Sequence, residues 1–73
     1  MPEELSRQVA ARVRRLMEEH GLSGNALSKA AGISQSSISR KLAGTHPFDV
    51  DDLAAIGRVL DVRPADLLSS TGD

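Results

Sequence analysis

Apolar residues along this chain recur at three- and four-residue steps and nowhere alternate over a useful length, which predicts helices and no strand. Leu5, Val9, Val13 and Leu16 form the first stripe. Pro2, Glu3 and Glu4 sit where a helix N-terminus favours proline and acid, and Gly21 supplies the stop. Ser23 caps a short second helix carrying Leu27 among the small residues Ala26, Ala30 and Ala31, ending at Gly32. Ser34 caps a third, closed by Gly44, whose only apolar stripe is Ile38 with Leu42.

The fourth helix has the clearest local chemistry. Asp49 is its N-cap, Asp52 completes a capping box, and Phe48 is placed to staple onto Leu53, with Val50, Leu53, Ile56 and Leu60 as the buried stripe. Gly57 inside that stripe costs roughly 1 kcal/mol relative to alanine, so it is expected where another helix comes too close for a side chain. A fifth helix starts at Pro64, with Asp66 near its N-terminus and Val62 able to staple to Leu67. The closing SSTGD, residues 69–73, reads as a frayed tail. The expectation is a single all-α domain of five helices over residues 1–68.

Composition narrows the function classes. A chain of 73 residues supports one core. With no cysteine it has neither a disulfide framework nor a thiolate metal site. No apolar run reaches the ~18–20 residues of a membrane span, and the start lacks a secretory apolar stretch, which fits a soluble cytoplasmic protein. Phe48 is the only aromatic residue, which argues against stacking bases on aromatic platforms. The net charge of -1 hides an uneven distribution. Residues 1–22 balance, 23–48 hold Lys29, Arg40 and Lys41 with no acid, and 49–73 hold two arginines against six aspartates. A basic middle segment of this kind is, on charge alone, more often a solvated face than a binding site.

The second and third helices are joined by AAGIS, where Gly32 takes the positive φ of a tight turn, Ala31 leaves room beside it and Ile33 plugs the angle. Such turns also join helices that bind nothing. Residues 22–68, however, resemble the Cro and phage-repressor type of helix-turn-helix, the lambda-repressor-like or XRE-type DNA-binding domain. The resemblance rests on Leu27, Gly32, Ile33, Ser34, Ile38, Ser39 and Gly44 at that family's spacing, and on the following LAAIGRVLDVRPADLL.

The resemblance implies a phage or bacterial transcriptional regulator, most often a repressor, that lays helix 34–43 in the major groove of double-stranded DNA. It implies base contacts from Gln35, Ser36, Ser39 and Arg40, and backbone contacts from Asn25, Ser34, Ser37, Lys41, Thr45 and His46. The side-chain chemistry agrees, since Gln pairs bidentately with adenine, Arg with guanine, and Ser with several bases. One copy offers few contacts, so a homodimer on a palindromic operator is expected. Leu67, Leu68 and the fifth helix are either the dimer contact or the last piece of the monomer core.

Three positions depart from the family pattern. Gly24 stands where a glutamine often contacts phosphate and braces the recognition helix. Lys41 stands where an apolar residue is common, leaving that part of the core to Leu42 and the lysine's alkyl stem. Arg63 stands where a serine or threonine cap is usual.

His20 and His46 lie a whole helix-turn-helix apart with no converging acids, and the serines lack a histidine base or nucleophile elbow. No enzyme, metal or cofactor is expected. The competing reading is a protein-interaction module or antitoxin on the same fold, favoured by the weak net charge, Gly24 and the acidic C-terminal third.

Overall fold

A computed structural model describes residues 3–68, with only the backbone given for Glu3. The expectations for Pro2 and for the tail at 69–73 fall outside the described residues. Five helices follow in order: α1 (Glu3–His20), α2 (Gly24–Ala31), α3 (Gln35–Leu42), α4 (Val50–Leu60) and α5 (Pro64–Leu68). No strand occurs among the described residues.

The caps explain the boundaries. The Ser23 side chain accepts from the Ala26 N–H at 3.0 Å, and Ser34 accepts from the Ser37 N–H at 3.2 Å. Asp49 and Asp52 form the full reciprocal capping box, with bonds of 2.7 and 3.1 Å. At α5 the Asp66 carboxylate reaches back to the Arg63 N–H at 3.2 Å, so half a capping box replaces the hydroxyl cap that Arg63 cannot supply.

Packing follows from which faces are apolar. α2 lies against α3 and α4, while α1 lies against α3 and α5 and touches α4 less extensively. The core joins Val9, Ala10, Val13 and Met17 of α1 to Leu27, Ile38, Leu53, Ile56, Leu60 and Leu67, with Phe48 entering ahead of α4. Because α1 is pressed from two sides, its buried face is broader than the expected stripe. Ala10 and Met17 are buried, whereas Leu5 and Leu16 are only partly so.

One expectation is corrected. Val50 is 80% exposed, because Phe48 fills that end of the stripe and leaves the first helical residue outside the packed layer. Ala30 is exposed on the outer side of α2. Of the two readings left open for the fifth helix, Leu67 follows the second, being buried to 1% in the monomer core, while Leu68 is 41% exposed.

Gly57 does mark a close approach, but of backbone in the α4–α5 turn rather than of a helix face. A Cβ there would sit 2.6 Å from the Val62 carbonyl oxygen. The chain turns back tightly because the Val62 N–H bonds the Gly57 carbonyl at 2.9 Å and Asp61 adopts a left-handed conformation at φ 60°. Gly57→Ala should therefore destabilise the domain by about 1–3 kcal/mol despite alanine's better helix propensity. In a domain this small each kcal/mol lowers Tm by about 4–8 °C, readable by thermal melting. An unchanged or raised Tm would show that the turn yields freely.

Candidate nucleic-acid interface

At about 100° per residue, the side chains of α3 sort into two faces. Ile38, which is 1% exposed, and the partly buried Leu42 point to the core. Gln35, Ser39, Ser36 and Arg40 then follow one another around the helix as a continuous arc of about 140°, and all four are exposed. Among the described residues Arg40 carries no acidic partner, so its guanidinium stands available at the surface.

The joint between α2 and α3 is held by one residue that sequence reasoning missed. The Ser28 carbonyl accepts the N–H groups of Gly32 and Ile33 at 3.0 and 3.1 Å, and its hydroxyl donates to the Ile33 carbonyl. Gly32 takes φ 72°, the left-handed conformation expected of it. The only signal in the sequence was a serine on the inner side of α2, four residues before the turn glycine.

This joint brings Asn25 of α2 to the edge of α3. A shallow cleft is lined by Gly24, Asn25, Gln35, Ile38, Ser39 and Leu42. A Cβ at Gly24 would meet only Leu42 Cδ1, at 4.0 Å, so the place of the missing glutamine is open space. Ser34 lies at the N-terminus of α3 and Ser37 on its first turn, where free amides favour anions. Beyond the C-terminus Thr45 and His46 are exposed. The Thr45 hydroxyl donates to the Arg40 carbonyl at 2.9 Å and lies 3.2 Å from His46 Nδ1.

Lys41 stands apart from the other candidates. Its position beside Ile38 turns it inward, and its ammonium donates to Asp52 Oδ2, with 15% and 11% of the two side chains exposed. An exposed phosphate contact from Lys41 does not fit this geometry. Burial raises the pKa of the Asp52 carboxyl, but the Lys41 ammonium and the Asp49 N–H outweigh it and hold the carboxyl below its ordinary value. A second bond from outside the pair comes from Arg14 of α1, which donates to the Leu42 carbonyl, the negative end of α3.

The Cro/C1-type HTH DNA-binding domain family matches this chain over residues 12–73. The chain belongs to that family. Its helix-turn-helix is thus a DNA-binding unit, comprising α2, the Ser28–Ser34 turn and α3. The crystal structure of the clp gene regulator ClgR from Corynebacterium glutamicum shares the fold of this Cro/C1-type domain, with a TM-score of 0.81. Identity there is 23%, over 88% of this chain and 68% of that one. No curated protein matches by sequence. Among the described residues of this Cro/C1-type domain no helix is long and apolar enough to cross a membrane, and no acid, histidine or cysteine cluster is suited to a metal.

Two stability measurements follow. Gly24→Ala should stabilise by about 0.4–1 kcal/mol, since the space is open and the unfolded chain loses freedom; a urea titration showing a lower midpoint would refute it. For Asp52 the folded pKa is depressed, so its stabilisation is present above the unfolded value of about 3.9 and is lost as pH falls through the folded value. Asp52→Asn should cost about 1–3 kcal/mol near pH 7, with the gap to the parent narrowing below about pH 4. A gap of constant size down to about pH 2 would mean that the carboxylate's charge contributes nothing.

Proposed function

We propose that this Cro/C1-type domain is a transcriptional regulator, acting as a repressor, that reads an operator by sequence with α3 in the major groove. The observation that carries this is the continuous exposed arc of Gln35, Ser39, Ser36 and Arg40, free of acid and flanked by amide-rich helix ends. Gln35 then pairs with adenine and Arg40 with guanine, each bidentate pair contributing roughly 1–3 kcal/mol of discrimination. Asn25, Ser34, Ser37, Thr45 and His46 serve the phosphates, which fix register and carry no sequence information themselves.

With Lys41 held by Asp52, the exposed cations of the basic segment reduce to Lys29 and Arg40. So few charges give weak non-specific attraction. Adequate affinity then requires two copies on half-sites about one helical turn apart, and hence a palindromic operator. The exposed Val50 and Leu68 border an apolar groove with Leu5 and Pro47, which supports this side of the molecule as the contact between copies.

Selection from a random duplex library near physiological salt tests the reading, with Arg40→Ala run beside the parent. The expected result is an enriched palindrome. Arg40→Ala should relax one base pair in each half-site at a cost of roughly 1–3 kcal/mol per half-site. If no motif emerges and residual binding is salt-sensitive and indifferent to Arg40, α3 is not a reader. The protein-interaction or antitoxin reading would then take its place.

A further inference from the structure

α3 is packed on α1 and α2, yet has no broad packing against α4. Across that sparse junction runs the bond from Lys41 to Asp52, eleven residues apart in sequence and mostly withdrawn from water. Stability alone does not explain an ion pair here, because well-packed apolar residues in place of a buried pair are generally as stable or more so. An apolar contact tolerates sliding. The Lys41 ammonium must instead stay within hydrogen-bond reach of one carboxylate oxygen, and that oxygen, Oδ2, is itself fixed by the Asp49 N–H at 3.1 Å.

The pair therefore constrains how α3 is rotated about its own axis. Lys41 and Arg40 are neighbours on the same rigid helix, so a rotation that separates Lys41 from Asp52 also swings Arg40 and Ser36 across the exposed face. Sites that read partners through bidentate bonds need their side chains held within about 0.5 Å and 10–20°.

We propose that Lys41 and Asp52 are positioning residues for sequence readout: their bond sets the rotation of α3, and thereby operator discrimination, without either side chain touching DNA. The inference rests on the reading of α3 as the DNA-reading helix. It separates cleanly from a phosphate role for Lys41, because the two ideas give opposite signs for Asp52→Asn. Removing a negative charge near DNA tightens binding by plain Coulomb attraction, whereas removing the positioning bond weakens it.

The experiment measures affinity of the full chain for its selected operator and for a scrambled duplex, across a salt series. Parent, Lys41→Met, Lys41→Arg, Asp52→Asn and the Met/Asn double variant are compared at a temperature where circular dichroism shows each fully folded. Lys41→Met and Asp52→Asn should each lower operator affinity roughly tenfold, leave the scrambled duplex and the salt slope unchanged, and lose no more when combined. Lys41→Arg, which keeps the charge and the bond, should retain most of the operator affinity. If Asp52→Asn melts below the assay temperature, Lys41→Met decides alone, since it leaves the capping box intact.

The proposal is overturned if Asp52→Asn binds the operator as well as or better than the parent. It is equally overturned if Lys41→Met weakens both duplexes alike and reduces the salt slope by about one, the signature of a phosphate contact. A parent chain that fails to distinguish operator from scrambled duplex would instead sink the reading of α3 on which the proposal stands.

Discussion

A helix that is to read DNA must leave most of its surface uncovered, and α3 does so while contributing Ile38 and part of Leu42 to the core. Burial of two aliphatic side chains, at roughly 1.5–3 kcal/mol for each when complete, holds a two-turn helix against the body of the domain but leaves its rotation loosely defined. The rest of the structure supplies that definition through the helix ends. Ser34 closes the N-terminus, Ser28 ties down the turn before it, Arg14 takes the last carbonyl, and Asp52 takes Lys41. All of these bonds sit at the margins of α3, and none occupies the arc from Gln35 to Arg40.

That arrangement changes what the charges of the chain do. Arg14 and Lys41 could have added to a positive field around the recognition helix, yet both are bonded to α3's own end or to α4. The interface is left with a small number of exposed cations, and the chain's net charge of -1 gives little long-range steering. On the proposed reading, discrimination comes from short-range hydrogen bonding by Gln35, Ser36 and Ser39, together with Arg40. Contacts of that kind demand accurate placement more than field strength does, and placement is what the bonded ends provide.

The parts of the fold that were legible in the sequence are those set by neighbours a few residues apart. Caps at Ser23, Ser34 and Asp49, the Asp52 partner in the capping box, and the turn at Gly32 each rest on bonds spanning five residues or fewer, so the local alphabet suffices. The residues of the α3 arc entered through the family resemblance, and helical periodicity explains why Gln35, Ser36, Ser39 and Arg40 share one exposed face. Val50 was misjudged because periodicity says which face a residue is on but not where the opposing layer ends; Phe48 ends it. The Arg14–Leu42 and Lys41–Asp52 bonds span 28 and 11 residues, and no local pattern encodes them. The visible trace of the second was a lysine at a position where the resemblance called for an apolar side chain, and its partner was hidden because Asp52 already had a sufficient local role.

Gly24 and Lys41, the two departures that bear on α3, act on opposite margins of that helix. On the side of the exposed arc, the absence of a side chain at Gly24 leaves the cleft beside Leu42, Gln35 and Ser39 unfilled, so α2 does not brace α3 there. On the opposite margin, Lys41 reaches α4 and Arg14 reaches in from α1, so support comes from behind the helix. A brace that sits in the groove must share its donors with phosphate, and binding DNA alters it. On the proposed reading of α3, a brace behind the helix is complete before DNA arrives, so the helix enters the groove preorganised and the ordering cost of binding is lower. The open cleft at Gly24 is the corollary, since support from behind removes the need for a side chain in front.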